Sequence, residues 1–166
     1  MIAAFLAGLW QFFLPTHLLA VGALGLAVGQ GRRVVLLAPF GLGLMAGALV
    51  IASAVRETPA ATPLLAIAAL AGVFVVLAWR PPFWLSAALA FAAGGAIALN
   101  SPPHALTIPG AIAMQVGAGV AALGTLALVA LIALRASRPW QHIGVRVVGS
   151  WIAASAILVL ALRLAR

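Results

Sequence analysis

The chain alternates long apolar runs with short breaks rich in Arg, Pro, Asn and Gln. A bilayer core about 30 Å thick is crossed by about 20 helical residues, and the breaks leave six runs of that order. Span one covers about Leu9 to Gly29 and closes at Gln30-Gly31-Arg32-Arg33; the apolar residues from Ile2 either lengthen it or lie along the interface. Span two covers about Val34 to Val55, before Arg56-Glu57-Thr58-Pro59, and span three about Pro63 to Trp79, before Arg80-Pro81-Pro82. Span four covers about Phe83 to Leu99 and closes at Asn100-Ser101-Pro102-Pro103. Span five, about Ile108 to Leu134, is long enough to tilt, and after the basic loop Arg135 to Arg146 span six covers about Val147 to Leu162. The expected fold is therefore an all-α integral membrane protein, one transmembrane helical domain over residues 1–166.

Composition agrees with that reading and removes others. Of 166 residues, 66% are hydrophobic and 6% charged, against about 25% charged in a soluble domain. A separate soluble domain does not fit. The nine Arg stand singly or in pairs between apolar runs, where orientation signals belong, so the net charge of +8 does not point to nucleic acid. The absence of Cys excludes disulfides, thiolate metal sites and a cysteine nucleophile. Glu57, the single acidic residue, leaves no carboxylate pair for acid–base catalysis and no oxygen cage for Ca²⁺. No serine lies in a nucleophile-elbow context. The expectation is a protein that is not an enzyme. The first residues also lack the basic stretch of a secretory signal, so a signal, if there is one, is merged with span one.

Charge placement orients the spans. Arg32, Arg33, Arg80, Arg135, Arg138 and Arg146 fall on one side, against Arg56, Arg163 and Arg166 on the other. The richer side is expected to be cytoplasmic, which puts both termini on the outer face. Trp79, Trp84 and Trp140 fall at the inner boundary, where amphipathic rings settle. Small residues at four-residue spacing, Gly25 with Gly29, Gly43 with Gly47 and Gly117 with Ala121, mark faces on which helix backbones can approach. Pro15, Pro39, Pro63 and Pro109 each remove a backbone donor inside or at the head of a span, and Thr16 and Thr107 are placed to serve the freed carbonyls.

Few polar side chains enter the membrane zone. The densest group is Trp10-Gln11-Phe12-Phe13-Leu14-Pro15-Thr16-His17, joined by Gln115 in span five and Ser150 and Ser155 in span six. An ionisable residue within the membrane is a functional candidate by default, which singles out His17. Neutral imidazole ligates Ni, Cu, Zn or Fe; the alternative is a histidine that hydrogen-bonds a neighbouring helix. His104, after Pro102-Pro103, lies at the same outer end and could meet His17, with Thr16, Met114 and Gln115 as pore or polar lining. Two imidazoles with such neighbours make a sparse metal site. His142, with Arg135 and Arg138 in the opposite loop, is placed for lipid headgroups or a partner instead.

The stretch Leu14-Pro15-Thr16-His17-Leu18-Leu19-Ala20, continuing to Val28-Gly29-Gln30, resembles the first membrane helix of the HupE/UreJ family, and Arg146-Val147-Val148-Gly149-Ser150-Trp151 resembles its last. His17 matches the second histidine of the family's His-Pro-x-x-Gly-x-Asp-His motif, while Thr16 stands at the Asp position, Leu14 at the Gly position and Trp10 at the first His position. The family's His-rich segment corresponds to Phe91-Ala92-Ala93-Gly94-Gly95-Ala96, which has no histidine. The resemblance implies a nickel or cobalt permease, or an accessory protein supplying that metal, in a bacterial inner membrane. The other reading of the residues is a non-catalytic auxiliary or scaffold subunit. Such a subunit packs against other membrane subunits or copies of itself and binds lipid or a hydrophobic cofactor.

Overall fold

A computed structural model describes residues 1–53, 61–104 and 107–165. Arg56, Glu57 and Arg166, and the expected end of span two at Val55, lie outside the described residues. The described chain is helical: α1 Ile2–Gln11, α2 Pro15–Gln30, a 3-10 turn Val34–Leu36, α3 Leu37–Ala52, α4 Ala61–Val76, α5 Phe83–Leu99, α6 Ile108–Leu134 and α7 Pro139–Leu164. Val34–Ala52, Ile108–Leu134 and Pro139–Leu164 are long and apolar enough to cross a membrane, and α1 with α2 makes a fourth if that bent pair is one span. With 16 and 17 residues, α4 and α5 are shorter, roughly 24 to 26 Å at 1.5 Å per residue.

α2 is the central helix. Nine of its 16 residues are buried, against three of 26 in α7, which therefore lies at the edge. α4 and α6 flank α2, α7 covers α4, α3 pairs with α5, and α1 lies on α6. The residues that close these pairs are small. Gly25 abuts Val129 and Gly29 abuts Ala130, joining α2 to α6; Gly43 abuts Phe91 and Gly47 abuts Gly95, joining α3 to α5; Gly117 abuts Phe5, joining α6 to α1. At Gly43 and Gly117 a Cβ would overlap a carbonyl of the facing helix, so the crossings are set by backbone approach. Ala121 is partly buried and packs against the main core. Gly8 against Met114, Gly94 against Phe40, and Gly72 with Gly149 between α4 and α7 make further contacts of this type.

Two expectations about boundaries are corrected. Span one is not continuous from Leu9 to Gly29: α1 and α2 meet at a bend of 73°. Pro15 opens α2, and the residue before a proline is pushed to extended backbone, as at Leu14 with ψ 139°. The apolar residues from Ile2 form their own helix, and it does not lengthen span one. α1 meets α6 where Phe5 faces Gly117 and Gly8 faces Met114, and along α2 the contacts ascend from Val129 at Gly25 to Ala130 and Ala133 at Gly29. The second correction is that the last helix starts at Pro139, inside the expected basic loop, because the Gln141 side-chain oxygen accepts from the backbone N–H groups of Ser137 and Arg138, 2.9 Å from each.

Prolines 15, 39, 63, 109 and 139 all lie in first turns, where a helix N–H has no partner in its own helix. Thr107 serves such a turn as acceptor, taking a bond from Gly110 N–H at 3.3 Å; among the described residues it donates to no freed carbonyl.

Candidate functional site

The break between α1 and α2 is where polar side chains gather. α6 holds α1 along its first half and α2 along its second, so residues 12–14 turn beside the start of α6 and the end of α5. His17, three residues into α2, is fully buried. Its Nδ1 lies 3.2 Å from the Phe12 carbonyl and its Nε2 3.0 Å from Nδ2 of Asn100, the residue that ends α5. A neutral imidazole has one donor and one acceptor nitrogen. A carbonyl can only accept, so Nδ1–H donates to Phe12 and Nε2 accepts from Asn100. The imidazole, and not the Thr16 hydroxyl, therefore serves the carbonyl bared by the break. Phe12 also stacks on the His17 ring, with centroids 5.9 Å apart and planes 21° from parallel.

A second bond closes the same break on the same segment. Gln11, the last residue of α1, donates from Nε2 to the Pro102 carbonyl at 3.1 Å. His17 and Gln11 thus tie both edges of the bend to residues 100–102, reaching across 83 and 91 positions of sequence. Two buried oxygens of this group, Gln11 Oε1 and Ser101 Oγ, have no hydrogen-bond partner among the described residues. Such atoms cost about 1–3 kcal/mol each when left unpaired, which marks the spot as able to take a polar guest.

The other candidate residues are dispersed. His104 is exposed, and among the described residues no three His, Cys, Asp or Glu side chains converge. Gln115, its Oε1 buried and without a partner among the described residues, lines a groove of about 310 Å³ between α3 and α6 with Met45 and Leu123. Met114 meets α1 through its backbone at Gly8. Arg135, Arg138 and His142 are exposed where α6 gives way to α7. Sequence reasoning passed over Asn100 and Ser101, placed only in a break. The usable signal was an amide side chain ending span four at the depth assigned to His17.

Chemically, the group offers one imidazole nitrogen already engaged, with amide, hydroxyl and carbonyl oxygens; Asp and Cys are absent from the chain. That set holds water or a weakly bound, partly hydrated cation; it does not strip a divalent ion of its shell. The chain matches no protein-family model, no curated protein and no solved structure.

Proposed function

We propose that the chain is a six-segment, non-enzymatic protein of a bacterial inner membrane, acting as a permease of HupE/UreJ type with a transition-metal ion such as Ni²⁺ or Co²⁺ as substrate. The observation that carries the reading is the discontinuous first span with His17 at its break. Irregular backbone at membrane depth occurs where it is buried in protein or lines a water-filled cavity, and in transporters such broken helices form the substrate site. The order of contacts supports alternating segments: α2 and α6 run in the same sense, Gly25 meeting Val129 and Gly29 meeting Ala133, as do α3 and α5, Gly43 meeting Phe91 and Gly47 meeting Gly95. The arginine distribution supports outer termini.

On this reading the bonds from His17 to Asn100 and from Gln11 to Pro102 hold a closed state. Passage requires Asn100 to release Nε2, which then meets the ion, and the ion keeps most of its water. Uptake of Ni²⁺ and Co²⁺ into proteoliposomes tests this. Wild-type protein should transport, and His17→Ala should abolish uptake; undiminished uptake in that variant removes His17 from the path. The lack of a carboxylate in the donor set favours a second reading, an auxiliary subunit packing on partners through its small-residue faces. Native mass spectrometry from mild detergent distinguishes it, since a monodisperse monomer counts against it.

A further inference from the structure

At the other end of α2, away from the His17 break, lies a second polar feature. α2 and α4 end in the same way. At the end of α2, Arg32 N–H bonds the Gly29 carbonyl and Arg33 N–H the Val28 carbonyl, both at 3.1 Å; at the end of α4, Ala78 N–H bonds Val75 and Trp79 N–H bonds Phe74, at 3.1 and 3.0 Å. This is the Schellman termination, with its left-handed position taken by Arg32 (φ 55°) and Ala78 (φ 50°). Trp79 then packs edge-on against Phe74, ring centroids 4.9 Å apart.

The paired endings deliver Arg33 and Arg80 to one cavity, whose lining also includes Gln30, Trp79 and Ser86. Arg33 is held in place: one of its terminal nitrogens donates to the Pro81 carbonyl at 2.6 Å and lies 3.2 Å from the Ser86 hydroxyl. A guanidinium carries five N–H donors, so most of its fork remains free. Arg80 is exposed and makes no side-chain hydrogen bond among the described residues. The chain supplies one acidic side chain for nine Arg, so these cations cannot in general be neutralised from within.

We propose that Arg33 and Arg80 bind the phosphate of an anionic phospholipid headgroup at this cleft. Three observations select a tethered phosphate. Planar guanidinium forks match phosphate oxygens. The enclosed space is about 30 Å³, room for about one water-sized group, so a phosphate inserts an oxygen or two and leaves its ester side at the mouth. Trp79 and Trp84 are exposed beside Arg80, which sets the mouth at the depth of headgroups. The site is independent of whether the break passes an ion.

The test is titration of the full-length protein in detergent with phosphatidylglycerol, phosphatidylcholine or inorganic phosphate, read by native mass spectrometry. Wild-type protein should bind phosphatidylglycerol in preference to phosphatidylcholine. Arg80→Gln should weaken phosphatidylglycerol binding about fivefold, the effect of one basic residue at a membrane surface; Arg80→Lys should retain part of it, and Arg163→Gln, which removes an exposed charge in the last turn of α7, should retain all of it. Equal binding by wild type and Arg80→Gln overturns the proposal, as does an equal loss in Arg163→Gln, which would mean diffuse attraction. Displacement of the lipid by inorganic phosphate at equal concentration would overturn the lipid as source.

Discussion

The bond between His17 and Asn100 can be weighed by a double-mutant cycle. Asn100→Leu removes the donor to Nε2 and leaves that nitrogen in a fully buried ring with nothing in its place. An orphaned buried acceptor costs about 1–3 kcal/mol, but coupling between polar side chains in membrane proteins averages about 0.6 and reaches about 1.7 kcal/mol. The expected cost of Asn100→Leu is therefore about 1–2 kcal/mol. His17→Phe keeps a flat ring to stack on Phe12 but loses both the Asn100 bond and the bond to the Phe12 carbonyl, so it should cost more, about 2–3 kcal/mol. In the double variant the Phe12 loss recurs unchanged and cancels in the cycle. What remains is the His17–Asn100 term, expected at about 1 kcal/mol of coupling. The assay is reversible unfolding in mixed micelles with increasing denaturing detergent, on four proteins. Additivity within about 0.3 kcal/mol would mean that the contact holds nothing together, and the closed break would need another cause.

Three further outcomes follow from the backbone. Gly43→Ala and Gly94→Ala each place a Cβ on a carbonyl across the α3–α5 crossing, of Phe91 and Phe40 respectively; each should destabilise by about 1–3 kcal/mol, whereas Gly124→Ala, with open space around it, should stabilise by up to about 1 kcal/mol, all read by the same unfolding assay. Ala78→Gly relieves a left-handed residue at φ 50° and should raise stability by about 1 kcal/mol; a loss would mean that the alanine methyl group packs usefully. Gln141→Ala removes the acceptor that serves two N–H groups at the head of α7 and should cost about 1 kcal/mol, with faster hydrogen exchange at Ser137 and Arg138 as the local sign.

How far the chain could be read depends on whether its signals were local. The ends of α5 and α6 fell where the sequence placed them, Phe83–Leu99 and Ile108–Leu134, because Pro82, Asn100, Thr107 and Arg135 interrupt apolar runs that have no other stop. The start of α7 falls inside a basic, polar stretch that composition alone reads as a loop. Pro139 and Gln141 carried a local helix-start signal that outweighed polarity. The bend at Pro15 was legible as a kink, but not its depth. A proline fixes only its own φ and the residue before it, whereas 73° between α1 and α2 is set by where α6 offers Gly117 and Met114 to α1. That is a contact over more than 100 positions, and no periodicity in either run encodes it. The site divides in the same way. His17 stood out because an ionisable group inside an apolar run is costly unless served. Its server, Asn100, sat in a break where polar residues are ordinary, and only the packing of α2 beside the end of α5 distinguishes it from any loop amide. The same scarcity that exposes candidates in such a chain conceals their partners, which take on meaning only once a helix end is brought to membrane depth.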